Sequence, residues 1–167
     1  MAFDPTAPVL VVEGHDAEIG ILRALLRRLR AVNVDDAADG GAALAKMRAK
    51  RYGLVIANWD MAPLTACDFL YEMRSDPGLS RIPVVVTGES KSNDVIAAKK
   101  AGANSYIVKP FDAPSLKIKI DAAFATKAAP LLGRQPVTEA PPVAPLGKAE
   151  PAAERRKFDG IFTVSLK

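Results

Sequence analysis

The chain has 167 residues, of which 49% are hydrophobic, enough for one well-buried core plus appendages. Its formal charge of +4 is unevenly spread: residues 1–126 carry sixteen Lys/Arg against fifteen Asp/Glu, and residues 127–167 carry seven against four. A nearly neutral body argues against nucleic acid as a partner, which wants a clustered basic face. The single cysteine, Cys67, excludes an intrachain disulfide and a cysteine-based zinc cluster. The expectation is a cytoplasmic protein, because Met1 to Pro8 shows no signal-peptide pattern and no apolar run approaches the roughly 18 residues of a membrane span.

In chain order, Pro8 to Val12 reads as a short apolar strand running into Glu13-Gly14-His15-Asp16, with Asp16 as N-cap of a first helix. On that helix Ile19, Leu22, Leu26 and Leu29 recur at helical spacing, and the interleaved Arg23, Arg27, Arg28 and Arg30 read as a solvated face. Asn33 to Ala37 is a more polar, edge-type strand; Asp39-Gly40-Gly41 turns into a helix marked by Ala43, Leu44 and Met47. Tyr52 to Trp59 is the central strand, followed by Met61-Ala62-Pro63. Thr65 to Asp76 forms a helix burying Phe69, Leu70 and Met73, with Cys67 as a small buried filler. Ile82 to Thr87 is a fourth strand. Ser92-Asn93-Asp94 caps a helix that Gly102 ends, and Asn104 to Val108 is a fifth strand before Lys109-Pro110-Phe111. Asp112 caps a last helix on which Leu116, Ile120, Ala123 and Phe124 share a face.

Strands alternating with helices imply a doubly wound α/β fold with a parallel sheet and right-handed crossovers. Ligands and chemistry then sit at the carboxyl ends of the strands. After Thr126 the texture changes: six prolines fall between Pro130 and Pro151, so 127–153 reads as an extended linker. In 154–167, Phe162, Val164 and Leu166 alternate with Thr163 and Ser165, the pattern of a strand with one apolar face that pairs with its own sheet, a second copy or another protein.

The acidic turn after Val11-Val12, Ala38-Asp39-Gly40, the Leu54–Trp59 strand, Pro83 to Thr87, Ala101-Gly102-Ala103 and Tyr106-Ile107-Val108-Lys109-Pro110-Phe111 stand together in order. By these the chain resembles the receiver domain of two-component response regulators, closest to the single-domain chemotaxis type. The resemblance covers residues 8–126. It implies a flavodoxin-like sheet of order 2-1-3-4-5, and phosphoryl transfer from a histidine kinase to an aspartate with Mg²⁺ bridging carboxylates and phosphate.

Carried over, the resemblance makes Lys109 the phosphate-neutralising lysine, Thr87 the switch hydroxyl, Tyr106 the aromatic that follows it, and Glu13 one of two acidic-turn residues. The other acidic position is Gly14, the phosphoacceptor position is Asn58, and the next loop departs at Met61-Ala62-Pro63 and Thr65-Ala66. An amide is a poor nucleophile toward phosphate, and two pocket carboxylates are gone, so Mg²⁺ binding is expected to be weak or absent, with no other cofactor. The domain is therefore expected to be a pseudo-receiver, not an enzyme, acting by protein–protein interaction.

Two alternatives stand beside this. Asp60, two residues beyond Asn58, restores a carboxylate and would make the domain a working phosphoacceptor. Otherwise the tail makes it a dimeric scaffold. The resemblance implies that partners and dimer mates use the fourth helix, fifth strand and fifth helix, where Lys99, Lys100, Lys117 and Lys119 suit an acidic signalling protein or a second copy. Lone His15 reads as solvated, and Trp59 as a half-buried rim residue.

Overall fold

The computed structural model describes residues 2–126. In chain order they form β1 (Val9–Val12), α1 (Asp16–Arg28), β2 (Val34–Ala37), α2 (Gly40–Ala49), β3 (Leu54–Asn58), α3 (Ala66–Ser75), β4 (Val84–Gly88), α4 (Ser92–Ala101), β5 (Ser105–Val108) and α5 (Ala113–Ala125). The strands make one parallel sheet in the order β2-β1-β3-β4-β5, the doubly wound arrangement expected. The proposed linker at 127–153 and the strand carrying Phe162, Val164 and Leu166 lie outside the described residues.

Every residue of β1, β3 and β4 is buried, because both faces of the sheet are covered. Alternate side chains divide between two cores. Leu10, Val12, Val55 and Val86 point to the side holding Phe69, Leu70 and Met73 of α3. Val9, Val11, Ile56 and Val85 point to the side holding Leu22 and Leu26 of α1 and Leu116 and Ile120 of α5. Burying each such large side chain contributes about 1.5–3 kcal/mol before entropy is counted. Phe3 joins the second core, its ring centroid 5.9 Å from that of Phe124.

Helix ends follow local chemistry, with two departures from the sequence reading. Asp39, Thr65 and Asp112 cap α2, α3 and α5 through their side chains, accepting from the backbone N–H groups of Ala42, Asp68 and Ser115. Asp16 does not cap α1: His15 is the N-cap, and Asp16 sits in the first turn, where its charge still suits the helix dipole. Ser92 likewise is the first residue of α4, and Lys91 the cap. Gly102 ends α4 in the left-handed region, φ 105°, as its position suggests. After α1 the same geometry falls to Arg30, at φ 66°. Arg23 leaves the solvated arginine face, since its guanidinium pairs with Asp36 of β2.

Arg74 of α3 is 7% exposed and, among the described residues, has no carboxylate partner. It donates to the backbone carbonyls of Gly102, Ser80 and Ile82 and to Asn104 Oδ1, tying the end of α3 to the approaches of β4 and β5. Burial pulls its guanidinium down to about 10, still charged at neutral pH.

Candidate functional site

Parallel strands bring their carboxyl ends to one edge, and four of the residues singled out in the sequence meet there. Glu13 follows β1, Asn58 ends β3, Thr87 lies opposite Asn58 in the β3–β4 register, and Lys109 follows β5. Glu13 is 1% exposed, Asn58 6% and Thr87 0%.

The Lys109 ammonium is the hub. Its Nζ lies 3.4 Å from Asn58 Oδ1, as donor, and 3.8 Å from Glu13 Oε2, as an ion pair beyond hydrogen-bond reach. It also pairs directly with the Glu18 carboxylate, supplied by the first turn of α1. That ammonium holds the Glu18 carboxyl below its ordinary value, against a smaller opposing effect of burial. Asn58 is engaged on both sides of its amide: Oδ1 accepts from the Asp60 N–H at 3.3 Å, and Nδ2 donates to the Asp60 carbonyl at 3.4 Å.

Glu13 Oε1 accepts from the His15 N–H at 3.1 Å and stands 2.9 Å from His15 Nδ1. His15 is exposed, as read, but it does something the sequence did not suggest by holding one oxygen of the buried carboxylate. The other oxygen, Oε2, and Thr87 Oγ1 are buried with no hydrogen-bond partner among the described residues. Among the described residues no group of three or more His, Cys, Asp or Glu is arranged to hold a metal ion.

Glu18 is the site residue that sequence reasoning missed. An acidic residue in the first turn of a helix has the same signature as a dipole partner. Only placing α1 against the β5–α5 connection distinguishes the two. Asp60 is exposed, its backbone joined to Asn58, and no hydrogen bond or ion pair joins its carboxylate to Lys109.

Trp59 is half-buried beside the site, as read, and lines an open groove of about 490 Å³ with Asp60, Met61, Thr65 and Cys67. Cys67 is thus not a fully buried filler. It is half-exposed at the groove wall, its thiol pushed up chiefly by burial.

Tyr106 is half-buried against the α3-side core and donates to the Glu89 carbonyl at 3.1 Å. Burial, ahead of Asp94 and Asp60, raises its hydroxyl above the ordinary value. Of the surface lysines, Lys99 and Lys100 are exposed, Lys119 is half-buried, and Lys117 pairs with Asp121 one turn on at 2.6 Å.

The family model described as the response regulator receiver domain matches residues 9–121. The chain belongs to that family. It is 37% identical over 117 residues to the chemotaxis protein CheY of Pseudomonas aeruginosa, covering 70% of this chain and 94% of that protein. It is equally similar to CheY-3 of Vibrio cholerae, with 70% and 90% covered. The solved structure of Vibrio cholerae CheY4 superposes with a TM-score of 0.64 at 26% identity, over 71% of this chain and 98% of that one. A receiver domain of a histidine kinase from Syntrophus aciditrophicus gives 0.65 at 21% identity, over 72% and 91%, a likeness of fold alone. Residues 9–121 are thus a receiver of the CheY type, a domain of two-component signalling that works with signalling proteins such as kinases. No helix among the described residues is long and apolar enough to cross a membrane.

Proposed function

We propose that this receiver is a phosphorylation-independent interaction module, a pseudo-receiver working in the cytoplasm rather than a catalyst of its own phosphorylation. The observation that carries the reading is the amide of Asn58 at the end of β3, already bonded to Lys109. Phosphoryl uptake needs an anionic nucleophile aimed at phosphorus. An amide nitrogen has its lone pair delocalised into the carbonyl, and the amide oxygen carries no charge to be neutralised.

The site's electrostatics favour the same reading. Lys109 finds its counter-ions within the fold, in Glu18 and Glu13, so it needs no phosphate to complete it. The residues present do not fit Mg²⁺. A hard dication wants oxygen ligands with at least one or two carboxylates. Gly14 offers no side chain, Glu13 commits one oxygen to His15, and the ammonium of Lys109 stands 3.8 Å from the other.

The surface proposed for recognition is that of α4, β5 and α5. Ile96 and Val108 are exposed there beside Lys99 and Lys100, with Lys119 half-buried nearby in the chain and Lys117 neutralised by Asp121. An apolar centre with cations that have no ion pair among the described residues suits an acidic partner surface.

The test is a binding measurement on the immobilised full chain with a captured signalling partner, before and after treatment with a small phosphodonor and Mg²⁺. Equal affinity is expected. Affinity that changes with the phosphodonor contradicts the reading and favours uptake on a substitute carboxylate such as Asp60.

A further inference from the structure

The charges of α1 fall into two sets. Glu18 and Arg23 turn into the fold, where they pair with Lys109 and Asp36. Asp16 in the first turn and Arg27 and Arg28 in the last are exposed, with no ion pair among the described residues. Between them lie Ala17, Gly20, Ile21 and Ala24, also exposed, with Ile21 at 58%. At 3.6 residues per turn, all these positions share one arc of about 140°. That arc lies opposite Leu22 and Leu26, which enter the core beneath the helix. The outer face of α1 is thus an apolar centre with an acidic end and a basic end. Gly20 sits near its middle. A Cβ added there meets no atom within 4 Å, so nothing inside the domain requires a glycine. A glycine within a helix is disfavoured relative to alanine, so the fold gains nothing from it either.

We propose that the outer face of α1 recognises itself, pairing with α1 of a second copy in antiparallel order. The inference goes beyond the pseudo-receiver reading and does not depend on it. A two-fold axis passing the helix at Ile21 brings Asp16 of each copy beside Arg27 of the other, with Arg28 one position on. Both residues of that pair stand about 8 Å along the helix from the axis, on opposite sides of it, so the two contacts form together. The two Ile21 side chains meet near the axis and leave water. Gly20 and its small neighbours let the helix axes approach to the short end of the usual range, roughly 8 Å. The charge order selects this occupant. An acidic surface would satisfy the arginines and repel Asp16, and a parallel copy would set like charges together. An antiparallel copy of α1 offers both signs in the order needed. Two three-turn helices bury less than the roughly 1,200 Å² at which standard interfaces begin, so the dimer is weak and fills as concentration rises.

The experiment is sedimentation equilibrium of the full chain at rising concentration, in low and high salt. The native chain should move from monomer toward dimer as concentration rises, and high salt should reverse the shift. Asp16→Arg alone, and Arg27→Glu combined with Arg28→Glu, should each stay monomeric where the native chain dimerises. An equimolar mixture of those two variants should dimerise again, because opposite charges then meet in both contacts. A native chain that remains monomeric throughout, or a mixture that does not associate, would overturn the proposal. Native-like association by either variant alone would overturn it too, placing the contact on another face or in residues 127–167.

The charge reversals also oppose the dipole of α1 and so weaken the helix itself. Gly20→Gln keeps the native charges and adds a good helix former where the domain leaves open space. Dilute, it should melt no lower than the native chain; concentrated, it should stay monomeric, because the added side chain holds the two helices apart. A folded Gly20→Gln chain that dimerises as the native one does would overturn the proposal.

Discussion

The ammonium of Lys109 pairs with the carboxylate of Glu18, joining the β5–α5 connection to the first turn of α1. Residues 91 positions apart thus close the charge balance of the site. A carboxylate at position 58 would compete for the same ammonium, whereas the neutral amide of Asn58 only shares it.

Glu18→Gln is expected to lower stability at pH 7 by about 0.5 kcal/mol, the scale of a partly exposed pair, since the Glu18 side chain is 40% exposed. The pH dependence follows from the direction of its shift. The carboxyl lies below its ordinary value of 4.5 in the folded state, so its stabilisation is present at neutral pH and is lost as pH falls through the folded value. Urea titrations of both proteins should therefore differ at pH 7 and converge as the pH falls through the folded-state value of Glu18. A difference that persists in acid would mean the effect is not the ion pair.

Arg74→Met should cost about 3 kcal/mol. It deprives three backbone carbonyls and Asn104 Oδ1 of a charged donor, and some of them stay buried. The thermal midpoint should fall by roughly 10 °C in a domain of this size. Arg74→Lys should recover only part, because one ammonium cannot reach acceptors set around a planar fork. Calorimetry of the three proteins is the check.

Lys100→Glu combined with Lys119→Glu should weaken binding to an acidic partner and flatten its salt dependence. Lys117→Glu alone should do less to binding, because Lys117 is already paired with Asp121, and more to α5 itself. Unchanged affinity in the first variant, measured by titration calorimetry at low and high salt, would place the partner on another face.

The fold was legible because its signals are redundant. Runs such as Val84-Val85-Val86 are apolar on both faces, and Asp39, Thr65 and Asp112 cap helices through side chains that do little else. Glu13, Asn58, Thr87 and Lys109 were legible as a site through the resemblance to receiver domains, and the carboxyl-terminal edge of the parallel sheet brings them together. What escaped depends on distant contacts. Arg74 looks like a surface charge until the connections of β4 and β5 fold around it. His15 looks solvated until the Glu13 carboxylate turns back to it. Gly88 looks like a strand end until Tyr106 fills the space it leaves.

The most direct measurement is the intact mass of the full chain after incubation with a small phosphodonor and Mg²⁺. With Asn58 at the end of β3 and Lys109 paired to Glu18, the mass should not change, and the native and Asp60→Asn proteins should behave alike. A stable gain of about 80 Da, one phosphoryl group, on any residue of the site would contradict the reading, above all if Asp60→Asn abolished it.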